Sequence, residues 1–326
     1  MADTETDFEL LRQIHTVLVM HFLDGQKQSD IARALNLSTS KVNRLITQGR
    51  KLDMVKIQVE SPFQRLVEIE RALSKASALS DAIVTPSVPG SAGTTLRQVG
   101  RAAASHLVET IRDGDVIAIT GGKGVGAVVQ NIEADRAFDV TVVPLTGGVQ
   151  GKYYTDVNHL ASQLAERLGG RAVMLHAPLF AECREQRDML MNVSSIKEVL
   201  DLARNAHVAL VGVGSVEPDG SSYYDLHHVC EADRKMMVGT GIVGEFLAHL
   251  IHQNGKVANF ALNSKLIALD PSELASCQRV IGITSGSQKI KPIRAALAGG
   301  YLNSLIADEA TALAVLKELE GADHAA

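Results

Sequence analysis

The chain has 326 residues, 46% of them hydrophobic and 21% charged, and a net charge of −5. That is ample apolar material for a large buried core and too much chain for one small module, so a small domain plus a large one is expected. No apolar run approaches the ~20 residues of a membrane span, and the acidic start from Met1 to Glu9 is unlike a secretory signal.

In chain order, Phe8, Leu11, His15, Leu18 and Phe22 mark a first helix whose apolar stripe packs on the segment that follows, ending near Asp24-Gly25. Two short helical runs come next, from Gln28 to Leu35 and from Ser38 to Leu45, joined by the corner Asn36-Leu37-Ser38. Ile31, Leu35, Leu37, Val42 and Leu45 are spaced so that steeply crossing helices share one small core. Ala32 is expected where they approach most closely. Ser38 suits the N-cap of the second helix, because its hydroxyl can accept from a first-turn amide. Capping there leaves Thr39, Ser40, Lys41, Asn43 and Arg44 on the outer face, where each can reach base edges or phosphates. The pattern is a helix-turn-helix with its recognition helix.

Charge supports it. Between Gly25 and Lys56 stand seven Lys/Arg against Asp30 and Asp53, an excess of positive charge in an acidic chain. Met54-Val55-Lys56-Ile57-Gln58-Val59 then alternates like a strand, as a wing would. After Pro62, Leu66, Ile69, Leu73 and Ala76 form a short helical seam, fit to pack on the next domain or to pair with its own copy. The texture changes at Ala78–Pro86. The expected organisation is a DNA-binding domain over 1–60, a linker helix over 61–79 and an effector domain over 80–326.

Beyond the boundary strands and helices alternate. Strands are predicted at Ala82–Val84, Val116–Ile119, Val140–Val143, Ala172–Leu175, Val208–Val211, Val280–Ile283 and Leu305–Ile306, with a helix from Thr94 to Ile111 after the first. Continuous apolar strands separated by helices imply a parallel sheet covered on both faces. Ligands of such sheets lie beyond the carboxyl ends of the strands.

Several of those ends are glycine-rich. Thr120-Gly121-Gly122-Lys123-Gly124-Val125-Gly126 follows a strand and opens a helix, so amides, dipole and Lys123 converge on an anion. A dinucleotide would want a carboxylate ending the next strand. That strand ends Leu145-Thr146-Gly147-Gly148, so a lone phosphate fits better and no cofactor is expected. The hydroxyl and amides of Thr146-Gly147-Gly148 are expected to face the same crevice, with Asp156 and Asn158 downstream as partners for hydroxyl groups. Val211–Ser215 reads as a further strand-end turn. Thr284-Ser285-Gly286-Ser287-Gln288-Lys289 is another loop with a lysine. Between these two lies Gly239–Glu245, with Glu245 read as preceding an apolar helix face. Together the loops suggest a small, phosphorylated, polyhydroxylated ligand. Three cysteines (Cys183, Cys230, Cys277) lie far apart and are expected to be buried thiols of a reducing, cytoplasmic compartment. Eleven histidines include no HxH or HxxxH pair, so no metal site is expected.

These pieces in this order resemble the SorC/DeoR-type family of sugar-responsive transcriptional regulators over nearly the whole chain. The similarity rests on Gln28–Leu45, Thr120–Lys123, Leu145–Gly148, Val211–Gly214, Val243-Gly244-Glu245, Gly286–Lys289 and the tail from Ile293 to Asp308. It implies an N-terminal all-α winged helix-turn-helix plus an α/β doubly wound, sugar-phosphate-isomerase-like effector domain. It also implies a homo-oligomer, a tetramer built as a dimer of dimers, controlling a carbohydrate catabolic operon. Contacts with double-stranded operator DNA would fall to Gln28, Ser38, Thr39, Ser40, Lys41, Asn43 and Arg44. The resemblance puts effector contacts at Gly122, Lys123, Thr146, Gly147, Asp156, Asn158, Glu245, Gly286, Ser287 and Lys289. Some relatives carry Lys or Arg just before the paired glycines; Thr146 stands there in this chain and cannot form a Schiff base. Glu245 stands where many members have Asp.

Two function classes follow. One is a regulator whose operator affinity is set by a phosphorylated sugar or polyol, a repressor by expectation. The alternative is a sugar-phosphate isomerase or deaminase carrying a DNA-binding module, in which Glu245 or Asp156 would be the base for proton abstraction.

Overall fold

The computed structural model describes residues 2–55, 64–149, 154, 156–217, 223, 235, 237 and 239–323. Two compact units divide the chain, Met1–Pro62 and Phe63–Ala326.

The first unit is helical. Helix α1 (Ala2–Leu18) runs into a π-helical turn, Val19–Leu23, and is followed by α2 (Gln28–Ala34) and α3 (Thr39–Lys51). Its core is Ile14, Val17, Leu18, Ile31, Ala32, Val42, Leu45 and Ile46. Burying a side chain of the Leu/Ile class is worth roughly 1.5–3 kcal/mol, which is how three short helices hold together.

The buried stripe of α1 differs from the expected one. Leu10, Ile14, Val17 and Leu18 face inward, whereas Phe8 is 70% exposed and Leu11 and His15 also point outward. Both stripes run at helical spacing and share Leu18, so periodicity alone does not separate them. The π-turn carries one residue more than an α-turn, and Met20 and Phe22 still reach the core beyond it. Helices α1 and α3 approach tightly at Gly49, where a Cβ would lie 2.6 Å from Leu18 Cδ1 and 2.9 Å from Ile14 Cγ2.

The corner between α2 and α3 follows its local chemistry. Asn36 takes the left-handed conformation at φ 55°, and the Leu37 amide reaches back to the Ala32 carbonyl at 2.8 Å, a Schellman-type stop. Ser38 then caps α3, its Oγ accepting from the Lys41 amide at 3.2 Å. Of the expected wing, Met54 and Val55 are described and carry no strand; residues 56–59 lie outside the described residues.

The second unit is a doubly wound sheet. Helix α4 (Gln64–Ala76) leads into β1 (Asp81–Thr85), α5 (Ala92–Thr110), β2 (Val116–Ile119), α6 (Lys123–Gln130), β3 (Thr141–Pro144), α7 (Val157–Leu168) and β4 (Arg171–Ala172). Next come α8 (Arg184–Met191), α9 (Ser194–Arg204), β5 (Val208–Ser215), β6 (Ile242–Phe246) and β7 (His249–His252). The chain closes with β8 (Arg279–Thr284), α10 (Ile290–Ala298), β9 (Ser304–Asp308) and α11 (Glu309–Asp323). Strand order is β1-β9-β8-β5-β2-β3-β4, and every pair along it is parallel. Helices α5, α6 and α7 cover one face; α4, α9, α10 and α11 cover the other.

Leu66, Ile69 and Leu73 of α4 lie in the core of this second unit. Glu70 accepts the Val84 amide of β1 at 2.8 Å, and Arg65 pairs with Glu309 at 2.9 Å. The seam is thus consumed by packing within the chain.

Four local expectations are corrected. Val211–Ser215 is no turn, because β5 continues to Ser215 and pairs antiparallel with β6. Glu245 does not precede a helix: it sits in β6, and β6 and β7 form a hairpin. Its turn residues, Leu247 at φ 50° and Ala248 at φ 63°, adopt the left-handed pair of a tight hairpin with no Asn-Gly to announce it. Of the expected strand Ala172–Leu175 only Ala172 pairs as strand, together with Arg171 before it, at the sheet edge. Cys183 is exposed while Cys277 is buried; Cys230 lies outside the described residues. No helix among the described residues is long and apolar enough to cross a membrane.

Candidate functional site

In the helical unit, capping by Ser38 orients the start of α3 so that Thr39, Ser40, Asn43 and Arg44 are exposed. Lys41 is half-buried, as is Gln28 at the start of α2. Among the described residues Lys41 and Arg44 make no ion pair. The polar face continues past the expected stretch, with Thr47 and Arg50 also exposed and Arg50 lying over the Phe22 ring at 5.5 Å. Helix α3 runs to Lys51, and its buried face continues past Leu45 through Ile46 and Gly49.

In the large unit, the carboxyl ends of β2, β3, β5 and β8 open into a cavity of about 420 Å³. Gly122, Lys123, Thr146, Gly147, Glu245, Gly286 and Lys289 all line it. Gly122 stands at φ 127° as the N-cap of α6, a conformation that suits glycine. The first helical bond of α6 runs from the Gly126 amide to the Gly122 carbonyl at 2.9 Å, which leaves the amides of Lys123, Gly124 and Val125 ahead of the ladder. A helix start of this kind favours an anion. Lys123 adds a full positive charge, with its Nζ 5.7 Å from the centre of the Tyr154 ring.

Opposite, the β8–α10 loop brings Lys289 into the same cavity. Burial pushes the Lys289 ammonium below the ordinary lysine range; Glu245 works against that shift and Lys123 adds to it. Burial likewise raises the Glu245 carboxyl, against the pull of Lys289 and of a hydrogen bond from the Ala248 amide. The two charges share a cavity without a direct ion pair. Glu245 Oε2 accepts from Ala248 at 2.9 Å. Its carboxylate lies over Gly214, where any Cβ would overlap it. That is why β5 carries a glycine facing the hairpin.

The Thr146-Gly147-Gly148 segment offers less than expected. Gly147 donates to the Ile267 carbonyl at 2.7 Å and Gly148 to that of Ala177 at 2.9 Å. Their amides are committed to the backbone, and a Cβ on Gly147 would meet the Pro178 carbonyl. Glycine is there for packing. Thr146 alone of the three keeps a side chain for the cavity.

Asp156, Asn158 and Ser287 are not among the residues lining the cavity. Asp156 caps α7, accepting from the His159 amide at 3.1 Å. Asn158 grips the Leu175 backbone with both ends of its amide, at 2.9 and 3.0 Å. Ser287 begins the short 3₁₀ turn that carries Lys289. These residues shape the wall instead of forming it. Conversely, Thr284 lines the cavity and its buried Oγ1 has no hydrogen-bond partner among the described residues. Ala92, Gly93 and Leu96 of α5 line it too; nothing in their composition marks them.

A family model described as "Putative sugar-binding domain" matches residues 61–317, and one described as "Sigma-70, region 4" matches residues 9–52. The erythritol catabolism regulatory protein EryD of Brucella abortus is 30% identical over 308 residues, covering 93% of this chain and 95% of that protein. This chain belongs to the SorC/DeoR-type family of sugar-responsive transcriptional regulators. A second relative, the deoxyribonucleoside regulator of Bacillus subtilis, is 27% identical over 302 residues, covering 92% of this chain and 96% of that protein. The full-length sorbitol operon regulator SorC of Klebsiella pneumoniae has the same fold, with a TM-score of 0.73 at 24% identity over 94% of this chain and 98% of that one. Like its relatives, this SorC-family chain is a regulator and not an enzyme. The helix-turn-helix binds DNA, and the α/β unit is a domain for a small-molecule effector.

Proposed function

We propose that the cavity takes a phosphorylated sugar or polyol, that its occupancy sets operator affinity, and that the unliganded protein represses a carbohydrate catabolic operon from the cytoplasm. One observation carries this reading: Lys123 and Lys289, each at a helix start, line one cavity with Glu245 and the hydroxyl-bearing Thr120, Thr146 and Thr284. Cations at helix starts suit a phosphate; a carboxylate and hydroxyls suit the hydroxyl groups of a polyol. The names of the relatives, an erythritol catabolism regulatory protein and a deoxyribonucleoside regulator, support a polyol or sugar-bearing ligand.

On the DNA side, Gln28, Ser38, Thr39, Ser40, Lys41, Asn43 and Arg44 are assigned to operator contacts. One recognition helix buries too little surface for a tight specific site, so paired half-sites and a homo-oligomer, a tetramer as dimer of dimers, are part of the proposal.

The test is thermal denaturation with a panel of sugars and polyols, each with and without phosphate, beside gel shifts on a selected operator. Stabilisation by a phosphorylated compound, without turnover and with altered operator affinity, is the expected result. Equal response to the unphosphorylated partners, or no change in operator affinity, would overturn it.

A further inference from the structure

The effector cavity is closed on one side by the Ser285–Lys289 loop and on another by the start of α5. The loop through Thr311, and the segment leading into α5 through Ser87, are tied to Asp308, the last residue of β9, which is 3% exposed. Ser87, between β1 and α5, donates to Asp308 Oδ2 at 2.8 Å. Thr311 donates through Oγ1 to Oδ1 at 2.6 Å and through its amide to Oδ2 at 3.3 Å.

The same Thr311 Oγ1 accepts the Gly286 amide at 2.9 Å. A hydroxyl has one hydrogen and two lone pairs. Asp308 as a carboxylate only accepts, so the Thr311 hydrogen is spent on it and a lone pair is left facing Gly286. Ser87 works the same way, giving its hydrogen to Asp308 and accepting the Ala310 amide at 2.9 Å. Burial opposes ionisation of Asp308, but the bonds from Thr311 and Ser87 outweigh it and hold the carboxyl below its ordinary range.

We propose that Asp308 is a positioning residue of the effector cavity: through Thr311 its carboxylate sets the Ser285–Lys289 loop, and through Ser87 it joins that loop to the segment leading into α5. The proposal rests on the reading that this cavity takes an anionic effector. Gly286 and Lys289 are the parts of the loop that meet such a ligand, so the geometry they present depends on a carboxylate that the ligand never touches.

A purely structural role has to be separated, because Asp308 also caps α11 through the Thr311 amide. Asparagine caps a helix about as well as aspartate, so Asp308→Asn keeps the cap and loses the acceptor-only carboxylate. Thr311→Val keeps the amide and removes the hydroxyl relay. Thr311→Ser keeps both and is the rescue. The readouts are hydrogen–deuterium exchange of residues 285–290 against β8 and β9 in ligand-free protein, and calorimetric titration with inorganic phosphate. Exchange of the loop is expected to rise roughly tenfold or more in Thr311→Val and Asp308→Asn, with β8 and β9 unchanged. Phosphate is expected to bind them more weakly by a similar factor, and Thr311→Ser is expected to behave as wild type. Unchanged loop exchange in both variants, or exchange rising equally in β8 and β9, would overturn the proposal. If wild type itself ignores phosphate, the anionic-effector reading fails, while the exchange comparison still decides what Asp308 does.

Discussion

Glu245 Oε2 accepts the Ala248 amide at 2.9 Å, so the carboxylate that faces the cavity also closes the hairpin turn beside it. Leu247 and Ala248 hold left-handed conformations there, which cost side-chain-bearing residues roughly 1–2 kcal/mol each. Cavity and turn therefore share one acceptor. Glu245→Gln retains an acceptor for Ala248 and should fold normally, yet lose stabilisation by the effector. Glu245→Ala should cost about 1–3 kcal/mol of stability as well. The pH dependence has a definite sign. A carboxyl raised above its unfolded value penalises the folded state as pH rises from the ordinary carboxylate range through the raised value. Ligand-free wild type should lose stability across that window relative to Glu245→Gln. Melting curves from acid to neutral pH check it; parallel profiles would refute the assignment.

Gly214→Ala should act on the same carboxylate from below. Its methyl would overlap Glu245, and overpacking at a rigid strand costs typically 1–3 kcal/mol. The expected result is a lower melting temperature together with a lost response to the effector. A variant that melts and responds like wild type would show that the carboxylate can move aside freely.

Gly49→Ala probes the other unit. The added methyl would press on Leu18 and Ile14, destabilising the three-helix core by about 1–3 kcal/mol. Operator binding should fall, while the large unit keeps its thermal response to the effector. Calorimetry resolving the two unfolding steps, with gel shifts alongside, is the measurement; an unshifted first step would count against close packing of α1 on α3.

Arg44→Ala and Lys41→Ala should weaken operator binding by different routes. A lost phosphate contact lowers affinity evenly over sequences and reduces the salt slope by about one unit. A lost bidentate base contact costs roughly 1–3 kcal/mol at one position. Gel shifts at several salt concentrations, with operator variants, tell them apart. Wild-type affinity in both variants would remove α3 as the recognition helix.

Lys123→Ala and Lys289→Ala should each abolish stabilisation by the phosphorylated effector and leave ligand-free operator binding intact. In wild type, a coupling of ~1–3 kcal/mol would change operator affinity roughly 5- to 150-fold. Reciprocity then requires operator DNA to change effector affinity by the same factor. Calorimetric titration with and without operator measures both sides, and equal effector affinity in the two would defeat the sensor.

Local chemistry by itself determined the DNA-binding corner and the parallel sheet. Asn36 and Ser38 act on amides within a few residues of themselves, and the apolar strands need no distant partner to declare their burial. The anion loop at Gly122-Lys123 was legible for the same reason, since glycine, lysine and helix start are contiguous. Only the tertiary structure decided the rest. Which of two stripes on α1 is buried depends on what packs against it, and the β6–β7 hairpin turns on Leu247 and Ala248, whose strain is offset by a side chain from β6. Gly147 looked like an anion cradle, but its amide is taken by Ile267, more than a hundred residues away. Asp156 and Asn158 looked like ligand residues and are spent on His159 and Leu175. Whether a polar group is free for a ligand depends on which backbone comes to meet it, and that is settled by long-range packing, which residue spacing does not record.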